Sequence, residues 1–358
     1  MVQKIDRRRF VTLTGIAGVA GLTGTVSARQ DDDGEEIDED ADPDEGGEIL
    51  SWHAGGTGGT YYPLSGEFKT IVEDNTPHGL QVQSTGASVE NVGSLAREEA
   101  EFALIQNDVA YFAYHGTGLQ EFEDMPIENL RGVATLYPET IHILVDAGSD
   151  IDSIEDLEGG TINTGDLGSG TQVNALQILE TVGITEDDFD EQNTGFSAAA
   201  DQLRDGDIDA AFIVGGWPVG AVEELATTAD IEIVEVTDDT RDDVLEGAEW
   251  FAEDTIPGGT YDGVDEDVDT VSVQAMIATH EGVDEGVVEE VTEAIFENSD
   301  DLSIKAEFIE LETALDGMSI ELHPGAEAYF EESDLDLDAE LEDDGEDEDE
   351  GEDEDDDE

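Results

Sequence analysis

Cysteine is absent from all 358 residues, so no disulfide staples the fold, no thiol does chemistry and no lipid anchor attaches through a cysteine. Basic residues are nearly as scarce. Lysine and arginine together number 11 against 97 aspartates and glutamates, a formal net charge of -86, and lysine stands only at positions 4, 69 and 305. So acidic a chain repels a phosphate backbone, which excludes nucleic acid as a partner. Long apolar runs are missing too. The one mild stretch, residues 11–26, is diluted by glycine and threonine and is marginal as a membrane span.

Two acidic runs, 31–45 and 331–358, have no apolar periodicity and are expected to be disordered. Most of the acids lie between them, interleaved with periodic apolar residues, so the folded surface itself must be rich in carboxylates. Such a surface repels itself in dilute buffer. At about 1 M salt the Debye length shrinks to about 3 Å and the repulsion is screened. The composition is that of a protein built for brine. At the start, Arg7, Arg8 and Arg9 precede Phe10 and the mild stretch, and Val26-Ser27-Ala28 supplies small residues for cleavage. This resembles a twin-arginine export signal over residues 1–28, which implies an extracellular or cell-surface protein.

What the sequence has in quantity is glycine and hydroxyl at strand-to-helix transitions. "GGTGGTYYPLSGEF" turns from glycine and threonine into a helix with Leu64, Phe68, Ile71 and Val72 on one face. A period-two strand with Leu80 and Val82 leads to Ser84, Thr85 and Ser88 and a helix carrying Val89, Val92 and Leu95. A buried strand over 102–105 ends in Gln106, Asn107 and Asp108. After a long extended run over 136–145 the pattern restarts, with a strand at 161–163, the turn Gly168-Ser169-Gly170-Thr171, and a helix with Val173, Leu176, Ile178 and Leu179. Strand, small-residue turn, helix is the grammar of a parallel sheet.

Further on, the spacing predicts a short helix near 198–203, a strand "DAAFIVG", a helix with Pro218 as its first residue, a period-two strand "TVSVQAMIA", and helices near 285–298 and 301–315. Bare NH groups at a helix start carry the positive end of the dipole and collect anions. In open α/β sheets ligands gather at the carboxyl ends of strands, where these turns lie.

Nucleotides fail on detail, because "GGTGGT" is not GxxxxGK[ST] and no lysine follows any turn. The six histidines show neither zinc-ligand spacing nor a nucleophile elbow around a serine, so no catalytic residue, metal or cofactor is expected. Candidate ligand-binding residues are Gly58, Gly59, Thr60, Tyr61, Ser84, Thr85, Ser88, Gln106, Asp108, Tyr137, Ser169, Gly170, Thr171 and Trp217.

Taken in order, "GGTGGTYYPLSG", "QSTGASVENVGSLA", "FALIQNDVAYFAYHGTG", "LYPETIHILV", "LGSGTQVNALQIL", "DGDIDAAFIVGGWP", "TIPGGTY" and "LHPGAEAYF" closely resemble the TAXI family of solute receptors of TRAP (tripartite ATP-independent) transporters. The resemblance spans about residues 48–330, with Ala87 standing where the family has glycine and Trp217 where it has a smaller residue. It implies an α/β, two-lobe type II periplasmic-binding-protein fold with a ligand cleft between the lobes. It also implies a monomer that binds a small carboxylate, either an amino acid such as glutamate or glutamine or a dicarboxylate, and hands it to membrane permease subunits. Related dicarboxylate receptors use an arginine, whereas Arg97, Arg131 and Arg204 all sit off the turns, so an anion here would rest on NH groups and hydroxyls. The expected organisation is a leader (1–28), an acidic linker (29–47), lobe I (48–140), lobe II (141–259), a return to lobe I with the C-terminal helices (260–330), and an acidic tail (331–358). The competing reading is an exported hydrolase or transferase with a helix-start hydroxyl such as Ser169 as nucleophile.

Overall fold

The computed structural model describes residues 47–333, apart from position 249, together with Leu335. The expected leader, the acidic linker up to residue 46 and nearly all of the acidic tail lie outside the described residues.

The first half of the sheet grows from β1 (Ile49–His53), whose alternation buries Leu50 and Trp52. Helix α1 (Tyr61–Asn75) follows and buries Tyr61, Leu64, Phe68, Ile71 and Val72, the face its spacing predicts. Strand β2 (Gly79–Gln83), helix α2 (Ser88–Ala96), strand β3 (Phe102–Gln106) and helix α3 (Asn107–His115) come next. β2 and β3 both pair parallel with β1. Trp52 stacks on Phe102 with ring centroids 5.5 Å apart, and its indole N–H donates to Ser65 Oγ at 2.9 Å, so the largest core side chain is both packed and hydrogen-bonded.

The chain then leaves along β4 (Leu130–Asp146), a strand of 17 residues. Beyond it lie β5 (Thr161–Asn163), α4 (Gly170–Thr181), β6 (Asp190–Gln192), α5 (Phe196–Asp205), β7 (Ala210–Val214), α6 (Gly220–Ala226), β8 (Ile231–Ile233), α7 (Asp238–Gly247) and β9 (Ala252–Ile256). The return is β10 (Val268–His280), and α8 (Glu285–Glu297) and α9 (Pro324–Glu332) close the chain. The strand order is β2-β1-β3-β10-β4-β7-β5-β6, with β8 beside β4 and β9 beside β10. β10 runs antiparallel between β3 and β4, and Val273 faces Glu139 in its ladder.

The architecture is the expected α/β fold of two lobes, with β4 and β10 running through both. One apolar core gathers Trp52, Phe68, Phe102 and Leu104 with Met276, Ile295 and Phe330 from the end of the chain. Beyond the middle of β4, helices cover both faces of the sheet. Ile143 and Phe212 face a core with Ile178 and Leu179, while their neighbours Leu144 and Ile213 face another with Val222 and Leu225. Such two-sided burial is why these strands read as unbroken apolar runs.

Two expected elements differ. Pro218 does not open a helix. The Trp217–Pro218 peptide is cis and α6 begins at Gly220. Residues 301–315 form no helix beyond the 3-10 turns Ser299–Asp301 and Leu311–Thr313. Partners from distant parts of the chain hold this segment instead. The Glu67 carboxylate accepts the Ser303 and Ile304 N–H groups at 2.9 and 3.2 Å, Lys305 has a φ of +59°, and its ammonium donates to the Trp217 carbonyl. No helix among the described residues is long and apolar enough to cross a membrane.

Candidate functional site

Three helix starts converge where the two lobes meet. α1 begins behind the N-cap Thr60, α2 behind Ala87, and α4 behind Ser169, whose hydroxyl accepts the Gln172 N–H at 3.2 Å. The first turn of each helix leaves NH groups without intrahelical partners. Ala87 holds φ +69° and ψ -144°, a combination natural only to glycine, so the alanine there is strained. Between these starts lies a cavity of about 60 Å³. At roughly 10–15 Å³ per water-sized position, that is room for a few groups only.

The cavity brings together nine of the expected residues: Gly58, Gly59, Thr60, Tyr61, Ser88, Gln106, Ser169, Gly170 and Thr171. The other five stand elsewhere. Ser84 donates to the Gly55 carbonyl at 2.9 Å, and Thr85 Oγ1 sits 3.0 Å from the Ala54 carbonyl, so both brace the glycine turn from behind. Tyr137 backs the cavity without lining it. Asp108 is fully buried between α3 and α4. Trp217 lines a second, larger cavity of about 560 Å³ together with Pro63, Ser197 and Lys305.

The lobes are drawn tightly together. Thr60 Oγ1 donates to the Gly215 carbonyl at 2.6 Å, so its hydroxyl proton is spent between lobes rather than on a ligand. The Ala221 N–H reaches the Gly58 carbonyl at 3.3 Å, and Asn174 Nδ2 donates to Asp108 Oδ2 at 2.8 Å. Gly58 and Gly170 sit at the closest approaches. A Cβ at Gly58 would come within 2.3 Å of Ser197 Oγ, and one at Gly170 within 1.7 Å of Gln106 Oε1.

Sequence reasoning missed Glu139, which lines the cavity from the middle of β4. Its carboxylate accepts three hydrogens: from Gln106 Nε2 at 2.8 Å and Tyr61 OH at 3.1 Å on Oε2, and from Tyr137 OH at 3.2 Å on Oε1. Burial nevertheless pushes its pKa up to about 7, against the pull of those donors. It is the one acid in residues 132–145, and that isolation was the available signal. Gly55, Gly56, Gly86, Ala87, Asp166, Gly195, Phe196 and Val214 complete the wall. No histidine lines it. His142, next to the crossing strands, has Nδ1 3.0 Å from the Thr140 carbonyl and Nε2 2.9 Å from Tyr261 OH, and burial holds its pKa down to about 4.

Asp108 carries a testable consequence. Burial raises its pKa to about 7 from a usual carboxyl value near 3.8. Between those values the native state holds a proton that the unfolded chain has released, so this contribution is complete at low pH and lost as pH rises through about 7. In Asp108→Asn the side chain stays neutral at every pH. Urea unfolding at fixed molar salt should then show a smaller loss of stability from pH 5 to pH 8 than in the parent, with a residual slope from Glu139. An equal loss in both proteins would show that Asp108 does not take up the proton.

A family model described as the NMT1-like family matches residues 53–333. Among solved structures, the chain is similar to the alkanesulfonate-binding protein SsuA from Xanthomonas axonopodis pv. citri bound to MOPS (12% identity, 71% of this chain and 76% of that one, TM-score 0.43). It is also similar to a TctC solute binding protein from Polaromonas (14%, 73% and 87%, 0.42) and to an ancestral arginine-binding protein bound to arginine (14%, 73% and 96%, 0.44).

Proposed function

The chain belongs to the NMT1-like family, and from that premise we propose that it is an extracytoplasmic solute receptor of the TAXI type, serving a TRAP transporter. It takes a small carboxylate into the cleft and presents the closed form to membrane permease subunits. Export by the twin-arginine route, life in high salt as a monomer, and a second lobe formed by residues 141–259 belong to the same reading. The observation that carries it is the cavity itself, enclosed by both lobes and fed by three helix starts, with no lysine or arginine in its wall. An anion there is met by NH groups and by hydroxyls such as those of Ser88 and Thr171.

The hydrolase alternative fares worse on the same ground. Ser169 Oγ is engaged as a helix cap and no histidine lines the cavity, so the usual activated-nucleophile pair is missing from its wall.

Purified protein at molar salt, titrated with a panel of amino acids, hydroxy acids and dicarboxylates, should bind at least one by calorimetry. The ligand should be recovered unchanged, and X-ray scattering should show a smaller radius of gyration at saturation. Absence of binding across the panel, or turnover of the bound compound, would overturn the receptor reading.

A further inference from the structure

We propose that Glu139 is the seat of a ligand ammonium group, so that the receptor selects α-amino acids, with the amino end at Glu139 and the carboxylate at the starts of α2 and α4. This rests on the receptor reading above and narrows its ligand. Three donors, Tyr61, Gln106 and Tyr137, aim hydrogens at the Glu139 carboxylate, an arrangement suited to an anion. A carboxylate accepts about four hydrogens, so one direction remains open on a group that lines the cavity. A second acceptor stands beside it. Gln106 donates through Nε2 to Glu139, while its Oε1, buried against Gly170, has no hydrogen-bond partner.

A buried carboxylate is costly unless a positive charge pairs with it, and the wall supplies none. Lys305 is a nearby cation and attracts Glu139 through the field, but its hydrogens go elsewhere: its ammonium donates to the Trp217 carbonyl and lies 5.6 Å from the Tyr137 ring centroid. Asp166 is a second carboxylate in the wall. A ligand bearing only negative groups would therefore meet like charge at this end, and an oxo acid would bring a further acceptor to a place that already has two. A hydroxy acid brings one neutral donor. An ammonium brings three hydrogens and the missing charge.

The test uses the purified full chain at constant molar salt and calorimetry with L-alanine, L-glutamate, lactate, 2-hydroxyglutarate, 2-oxoglutarate and succinate. At least one of the two amino acids should bind, more tightly than its hydroxy counterpart, and for glutamate also than 2-oxoglutarate, by roughly tenfold or more. Glu139→Gln keeps the shape and removes the charge, so it should weaken amino-acid binding by roughly 10- to 100-fold and erase that preference. Equal or tighter binding of a hydroxy acid, an oxo acid or succinate to the parent overturns the ammonium seat while leaving the receptor reading in place. So does a Glu139→Gln protein that keeps the preference. Binding of nothing in the panel overturns both. Should the variant fail to fold, the parent's ranking of the six compounds still decides.

Discussion

Gly170→Val should abolish ligand binding while leaving the chain folded. Any Cβ at this position would lie 1.7 Å from Gln106 Oε1 and 3.0 Å from Ser88 Oγ. Gln106 cannot retreat without giving up its bond to Glu139, and Ser88 is fixed at the first residue of α2. The start of α4 must therefore back away, taking its NH groups out of reach and holding the cleft open. A loss beyond roughly a hundredfold in affinity is expected, since no charged side chain remains to compensate for the withdrawn dipole end. Gly66→Ala is the matched control, because it adds a methyl on α1 where nothing lies within 4 Å and should stabilise the helix by about 0.5–1 kcal/mol. Calorimetry on both variants, with circular dichroism to confirm folding, makes the comparison. Parent-like affinity in folded Gly170→Val would mean that the cavity is not the ligand site.

The second large effect is on stability. The melting temperature should climb steeply from about 0.1 M salt, where the Debye length is about 10 Å, to several molar, and at the low end the fold should loosen. Salt acts in two directions here. It weakens exposed ion pairs such as Lys69 with Glu73, Arg97 with Glu99 and Arg204 with Asp201, which solvent already screens. It also screens repulsion across a chain of formal charge -86, and that sum outweighs a handful of pairs. Differential scanning calorimetry over a salt series gives the answer. A melting temperature that stays flat across the series would end the brine interpretation.

The strand-and-helix order was readable because burial writes itself into spacing. The α1 face at Leu64, Phe68, Ile71 and Val72 and the apolar runs of β3 and β7 appear in the sequence as they do in the fold. The glycine turns were readable for a related reason. Their small residues mark backbone that something must approach, and in the fold the approaching groups are Ser197 and Gln106 from across the cleft. Glu139 was not readable, since one acid among 97 carries no contrast unless its uncharged neighbours are weighed. The 301–315 segment misled because its apolar spacing suits a helix, whereas Glu67 and the Trp217 carbonyl bind it from distant parts of the chain. Thr60 looked like a ligand hydroxyl because a helix-start threonine usually faces solvent or ligand, and its partner, the Gly215 carbonyl, belongs to the opposite lobe. Long-range partners of this kind have no local signature.

The position of β10 governs how the polypeptide can assemble. The strand lies between β3 and β4, so the first lobe keeps an open slot in its sheet until residues 268–280 have left the ribosome. β5, β6 and β7 and their helices are contiguous in sequence and can close early, since local contacts form before distant ones. Meanwhile β1 to β3 display an unpaired edge whose apolar residues associate more readily in concentrated salt than in water. Nascent chains are thus most prone to aggregation during the interval between synthesis of β3 and synthesis of β10, and shielding by a chaperone matters most during those seconds.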